Sequence, residues 1–161
     1  MDIKELKYRL SCELDDRMVE QNVSLARLAM SCRTMKHNVY SILQGKSLPN
    51  LWTLSLLAER LDCTVNDLLG YEGIIDIRNL EDICAFDTFK DEDSFAVHLR
   101  DRILVRMKEL NINHEELANL SGLSRQSIER CLWICPHLPQ LMKFLDICEA
   151  LDFTPSDLLG Y

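Results

Sequence analysis

Arg125, Gln126 and Arg130 fall at spacings that share the outer surface of one helix, and eighty-nine residues earlier Lys36, His37 and Ser41 occupy the corresponding positions. These are hydrogen-bond donors suited to recognition. An arginine fork binds a planar acceptor through two parallel bonds, a glutamine amide donates and accepts at once, and lysine supplies a mobile point charge. None of them breaks bonds without a partner. No Ser/His/Asp set, phosphate loop or carboxylate pair stands out elsewhere, so the chain is not expected to be an enzyme. Cys131, Cys135 and His137 lie close enough in sequence to suggest a metal, but Cys131 falls on a buried register and no fourth ligand is near, so no metal is expected. No cofactor is expected either. The seven cysteines are odd in number, scattered and without a C-x-x-C pair, which points to reduced thiols rather than a disulfide framework.

The net charge of −8 argues against a polyanionic partner until its distribution is considered. Residues 1–74 hold 9 basic and 10 acidic side chains, residues 75–94 hold 2 and 7, and residues 95–161 hold 7 and 9. Most of the acidity is therefore confined to a short middle segment. Between Gln21 and Ala58 the chain carries Arg27, Arg33, Lys36 and Lys46 and no carboxylate side chain. That stretch can face a phosphate backbone. No apolar run approaches the roughly 18 residues of a membrane helix, and the opening Met1-Asp2-Ile3-Lys4-Glu5-Leu6 is charged rather than secretory, so a soluble, cytoplasmic protein without a membrane partner is expected.

The elements that must position these residues come twice. From Pro49 to Tyr71, 11 of 23 residues are identical to those from Pro139 to Tyr161 at an offset of ninety, and upstream the offset becomes eighty-nine. A period of this length divides the chain into two units, 1–71 and 95–161, joined by an acidic but apolar connector over 72–94 that is expected to pack, with a short helix near Asn79 to Phe86. Each unit reads as five short helices. In the first, Ile3, Leu6, Leu10, Leu14 and Met18 recur at spacings of three and four, Ser24 caps a short helix burying Leu28 and Ala29, and Gly45 ends a third helix with Val39, Ile42 and Leu43 inward. Leu51, Leu54, Leu57, Ala58 and Leu61 mark the fourth, and Thr64 caps the fifth. The second unit retraces this with Phe95, Leu99, Ile103 and Met107, a capping box from Asn113 to Glu116, a turn at Gly122 and the helix Ser124 to Leu132.

The run Glu116-Leu117-Ala118-Asn119-Leu120-Ser121-Gly122-Leu123-Ser124-Arg125-Gln126-Ser127-Ile128-Glu129-Arg130 resembles the helix-turn-helix of the lambda-repressor and Cro-like (XRE) family. Ser24 to Ala29, Lys36 to Lys46 and Pro49 to Leu69 resemble it again. The resemblance implies an all-α fold of two tandem five-helix lambda-repressor-like domains and sequence-specific binding of double-stranded DNA through the major groove. Two departures stand out. The first unit has Arg33 where the family usually has glycine, and the second replaces the family-like Gln44-Gly45-Lys46 with Trp133-Ile134-Cys135.

On that resemblance the helix after the turn places its first side chains against base edges, and helix starts and cations hold phosphate. Lys36, His37, Asn38, Tyr40 and Ser41 in one unit, and Arg125, Gln126, Ser127 and Arg130 in the other, are the candidate base contacts. Ser24, Arg33, Gln44, Lys46 and His114 are the candidate phosphate contacts. Trp52 and Met142, large apolar residues at equivalent positions, and Trp133 mark a candidate interface. The expected activity is that of a transcriptional repressor. A homodimer and a protein partner stay open, and with them two other readings: an antitoxin or mobile-element regulator that also binds a protein, and a protein-binding inhibitor that kept the fold and lost DNA.

Overall fold

A computed structural model describes residues 2–71, 89–133 and 136–160. The helix expected near Asn79 to Phe86 lies outside them, as does Cys135. All regular structure among the described residues is α-helical, and the chain divides into two compact units, Met1–Gly73 and Ile74–Tyr161.

In the first unit α1 spans Ile3–Glu20, α2 Leu25–Ser31, α3 Lys36–Leu43, α4 Leu51–Arg60 and α5 Val65–Leu69. In the second, α6 spans Glu92–Glu109, α7 His114–Ser121, α8 Arg125–Leu132, α9 Leu141–Ala150 and α10 Pro155–Leu159. The first helix of each unit packs on the third and fifth, the second on the third and fourth, and the fourth on the fifth. The two units thus share one packing plan. α6 begins within the segment read as connector: Asp91 caps it through a reciprocal bond with Ser94, and Phe89 sets its ring edge-on against Phe95, with centroids 5.3 Å apart.

Each core is filled by the spacings anticipated from the sequence. Leu6, Leu10, Leu14 and Met18 are buried on α1, Phe95, Leu99, Ile103 and Met107 on α6, and the paired Leu68–Leu69 and Leu158–Leu159 close each unit. Ile3 departs from the expected face and is 45% exposed. As the first residue of α1 it sits one turn short of the layer that Leu6 fills. Leu43 is only half-buried at the last turn of α3. Cys32, Cys131 and Cys148 are buried, and desolvation raises the pKa of all three, so each thiol stays protonated.

Between helices the backbone repeats even where the residues differ. Asn22 and Asn111 take φ of 52° and 54°, and Asp62 and Asp152 take 48° and 53°. Arg33, at φ 50°, adopts the left-handed conformation that Gly122 adopts at 67°. The family-like glycine is therefore absent from the first unit while the turn it would serve is kept. α8 is capped by Ser124, whose Oγ accepts from the Ser127 N–H at 3.2 Å, whereas the capping position before α3 is held by Met35, which makes no side-chain cap hydrogen bond. Replacing Met35, 68% exposed, with serine is expected to stabilise the first unit by about 1 kcal/mol. A urea midpoint that does not rise would show that the α3 terminus is already satisfied by solvent.

The last turn of the second unit is tied to its first helix. Arg102 donates from Nε to the Leu158 carbonyl at 3.1 Å and from Nη2 to the Asp157 carbonyl at 2.6 Å. His98 Nε2 lies 2.9 Å from the Leu159 carbonyl, which can only accept, so that nitrogen carries a proton. Burial lowers the pKa of His98 and keeps the ring neutral in this bond.

Candidate nucleic-acid interface

α2 packs on α3, and α7 on α8, leaving the opposite face of α3 and of α8 in solvent. The physical cause is the inward register. Val39 and Ile42 hold α3 down, and Ile128, Cys131 and Leu132 hold α8, so residues between them must point away from the core. On α3 these are Lys36, His37, Asn38 and Tyr40, the last 50% exposed. On α8 they are Arg125, Gln126 and Arg130.

Two residues assigned to base edges sit differently. Ser41 is half-buried, and its Oγ accepts from Ser47 Oγ at 2.9 Å. Ser127 is half-buried, shares a 2.9 Å bond with Ser124 Oγ and accepts from Lys143 Nζ at 3.4 Å. Their hydroxyls serve the protein's own turns. Asn38 is exposed, but its Nδ2 donates to Thr34 Oγ1 at 3.2 Å.

The candidate phosphate contacts occupy helix ends and turns. Ser24 is the cap of α2 and accepts from the Arg27 N–H at 3.3 Å, which leaves its own backbone at the start of a helix. His114 is the first residue of α7 and is exposed. Arg33 is exposed in the turn between α2 and α3. Gln44 closes α3, and Lys46 follows Gly45, whose φ of 61° turns the chain there. The Lys46 side chain is exposed while its carbonyl accepts from Lys7 Nζ at 2.9 Å, so the loop that carries Lys46 is anchored to α1. Of the three candidate interface residues, Trp52 and Met142 are half-buried within their own units, and Trp133 is 58% exposed at the end of α8.

The two faces differ in electrostatics. Around α3 the turn and helix carry Arg33 and Lys36 with no carboxylate, and Met30 and Met35 add 76% and 68% exposed apolar side chains beside them. Around α8 there are three carboxylates, and two are occupied. Glu116 Oε2 accepts the Asn113 N–H at 2.7 Å to complete a cap, and Glu129 Oε1 accepts from Arg125 Nε at 2.7 Å. That second bond raises the already high pKa of Arg125. The Arg125–Glu129 pair and the exposed methionines were not picked out from the sequence. The four-residue spacing of Arg125 and Glu129 on one helix was the available signal for the pair, and the register set by the buried Leu28 and Ala29 was the signal that Met30 faces outward.

Among the described residues no three His, Cys, Asp or Glu side chains gather where a metal ion could bind, and no helix is long and apolar enough to cross a membrane. Neither the curated proteins nor the solved structures give a match to this chain. The scan of family models does: residues 102–161 match the Cro/C1-type HTH DNA-binding domain, a span that includes α7, the turn at Gly122 and α8. The second unit therefore contains a Cro/C1-type helix-turn-helix DNA-binding domain.

Proposed function

We propose that this protein is a sequence-specific transcriptional regulator that represses by occluding a promoter, with a helix-turn-helix in each unit. The observation that carries this reading is the matched domain of residues 102–161, in which α8 presents Arg125, Gln126 and Arg130 to solvent. Arg125 suits a guanine edge and Gln126 an adenine edge. The first unit supplies the complementary property, a stretch from Gln21 to Ala58 that has no carboxylate and carries Arg27, Arg33, Lys36 and Lys46. Half-sites for such domains lie about one helical turn apart, and two units with different outward chemistry suit an asymmetric site read by a single chain. Two chains using one unit each on a symmetric site would contradict that arrangement.

The deciding measurement is fluorescence anisotropy of the whole chain on its own upstream DNA and on random duplex, across a range of salt. The expected result is a preference for the upstream DNA, with a log–log salt slope that steepens by about 0.9 for each phosphate contact. No binding to either duplex at low salt would overturn the reading. Arg125→Ala should cost about 1–3 kcal/mol on the preferred site and little on random duplex, whereas Lys46→Ala should weaken both alike. Equal losses on both duplexes for Arg125→Ala would remove that residue from base recognition.

A second reading has a specific observation in its favour. Trp133, 58% exposed, and Leu120, 61% exposed, give the second unit large apolar side chains suited to a protein partner. An antitoxin or mobile-element regulator would use both surfaces, and an inhibitor would use only the apolar one. Retention of DNA binding in Trp133→Ser together with loss of a co-purifying protein would favour the first of these.

A further inference from the structure

The pair on α8 is built asymmetrically, and this inference rests on the DNA-binding reading above. Glu129 takes the Nε hydrogen of Arg125 at 2.7 Å, which occupies the near edge of the guanidinium. The outer edge, Nη1 and Nη2, is left to face solvent, and Arg125 is 68% exposed while Glu129 is 32% exposed. The carboxylate is the more sheltered partner and the arginine the more exposed one. A fork held at its inner edge loses fewer rotamers on meeting two acceptors than one swinging freely, so part of the ordering cost is met before contact. The corresponding positions in the first unit carry Lys36 and Tyr40, which can form no such forked pair. A buttress of this kind also costs general affinity, because a carboxylate beside the groove repels phosphate.

We infer that Glu129 is a positioning residue for base recognition: it aims the outer edge of Arg125 at the O6 and N7 of one guanine and penalises binding where that guanine is missing. Selectivity and general attraction are then divided between the units. The second selects through an aimed, partly neutralised arginine, and the first attracts through Arg33 and Lys36, whose turn and helix carry no carboxylate.

The test uses the whole chain and a duplex recovered by selection from a random-sequence pool, with each guanine replaced in turn by 7-deazaguanine, which lacks the N7 acceptor. The wild type should lose about tenfold or more at one position, and Arg125→Ala should lose that sensitivity. Glu129→Met preserves length and helical preference and removes both the charge and the acceptor for the Arg125 Nε hydrogen. It should cut the 7-deaza effect at that position to about twofold or less while binding to random duplex strengthens several-fold, with the thermal melt unchanged. A merely structural ion pair would move the melt and leave the 7-deaza profile alone. Full 7-deaza discrimination in Glu129→Met overturns the inference and leaves the DNA-binding reading standing. Failure of the selection to enrich any duplex overturns both.

Discussion

Phe144→Ala is expected to abolish the folded second unit at physiological temperature while the first keeps its own cooperative transition. Phe144 is fully buried on α9, and replacing such a ring by a methyl group costs about 3–5 kcal/mol in lost transfer energy and residual cavity. A unit of this size has a stability of roughly 4–10 kcal/mol at the usual 0.05–0.15 kcal/mol per residue. The loss is therefore comparable to the whole. Each unit has its own apolar core, with Leu54 at the position equivalent to Phe144, so the damage should stay local. Thermal unfolding followed by circular dichroism should show about half the helical signal lost at the start and the remainder melting where the first unit melts in the wild type. A single transition of full amplitude, shifted by a few degrees, would mean that the site relaxes around the cavity and that the expected loss is too large.

The second large effect couples stability to binding in opposite directions. Arg33→Gly combined with Lys46→Ala should weaken DNA binding by about a hundredfold or more, since a hydrogen bond to a charged group contributes about 1.5–3 kcal/mol and two are removed, and should flatten the salt slope by about 1.8. The same pair should leave the first unit more stable. Arg33 holds a left-handed backbone at φ 50°, a conformation that costs a residue with a Cβ about 1–2 kcal/mol, and Gly122 holds the equivalent turn without that cost. An arginine in place of the better turn residue gives this turn a cation at the expense of stability. Anisotropy and urea denaturation on the one double variant address both halves. A protein that is more stable and binds equally well would leave Arg33 without a role in DNA contact.

The helices were legible because each carries its own local instructions. Thr64 and Asp67, Thr154 and Asp157, and Asn113 and Glu116 form the reciprocal caps that their types and spacing predict, and the cores follow the three-and-four periodicity. What sequence could not supply was the state of each side chain. Ser41 and Ser127 share the register of the outward residues, yet a hydroxyl that close to the backbone finds a partner in its own turn, Ser47 in one case and Ser124 in the other. The commitment of Glu129 to Arg125 and of Glu116 to a cap equally depends on rotamers rather than residue types. The turn between α2 and α3 was equally out of reach: the sequence shows Arg33 where the second unit has Gly122, and only the backbone shows that both adopt the left-handed conformation.

The first and last helices of each unit lie against each other, α1 with α5 and α6 with α10. In genealogical terms, a segment whose two ends meet in its own fold is a ready module for duplication, because copying it head to tail asks no existing contact to change. Once copied, the pieces can age at different rates. The turn positions Asn22 and Asn111, and Asp62 and Asp152, share both residue and conformation, while the outward positions of α3 and α8 differ in chemistry. A chain of this design can alter the outward chemistry of one unit without disturbing the core of the other.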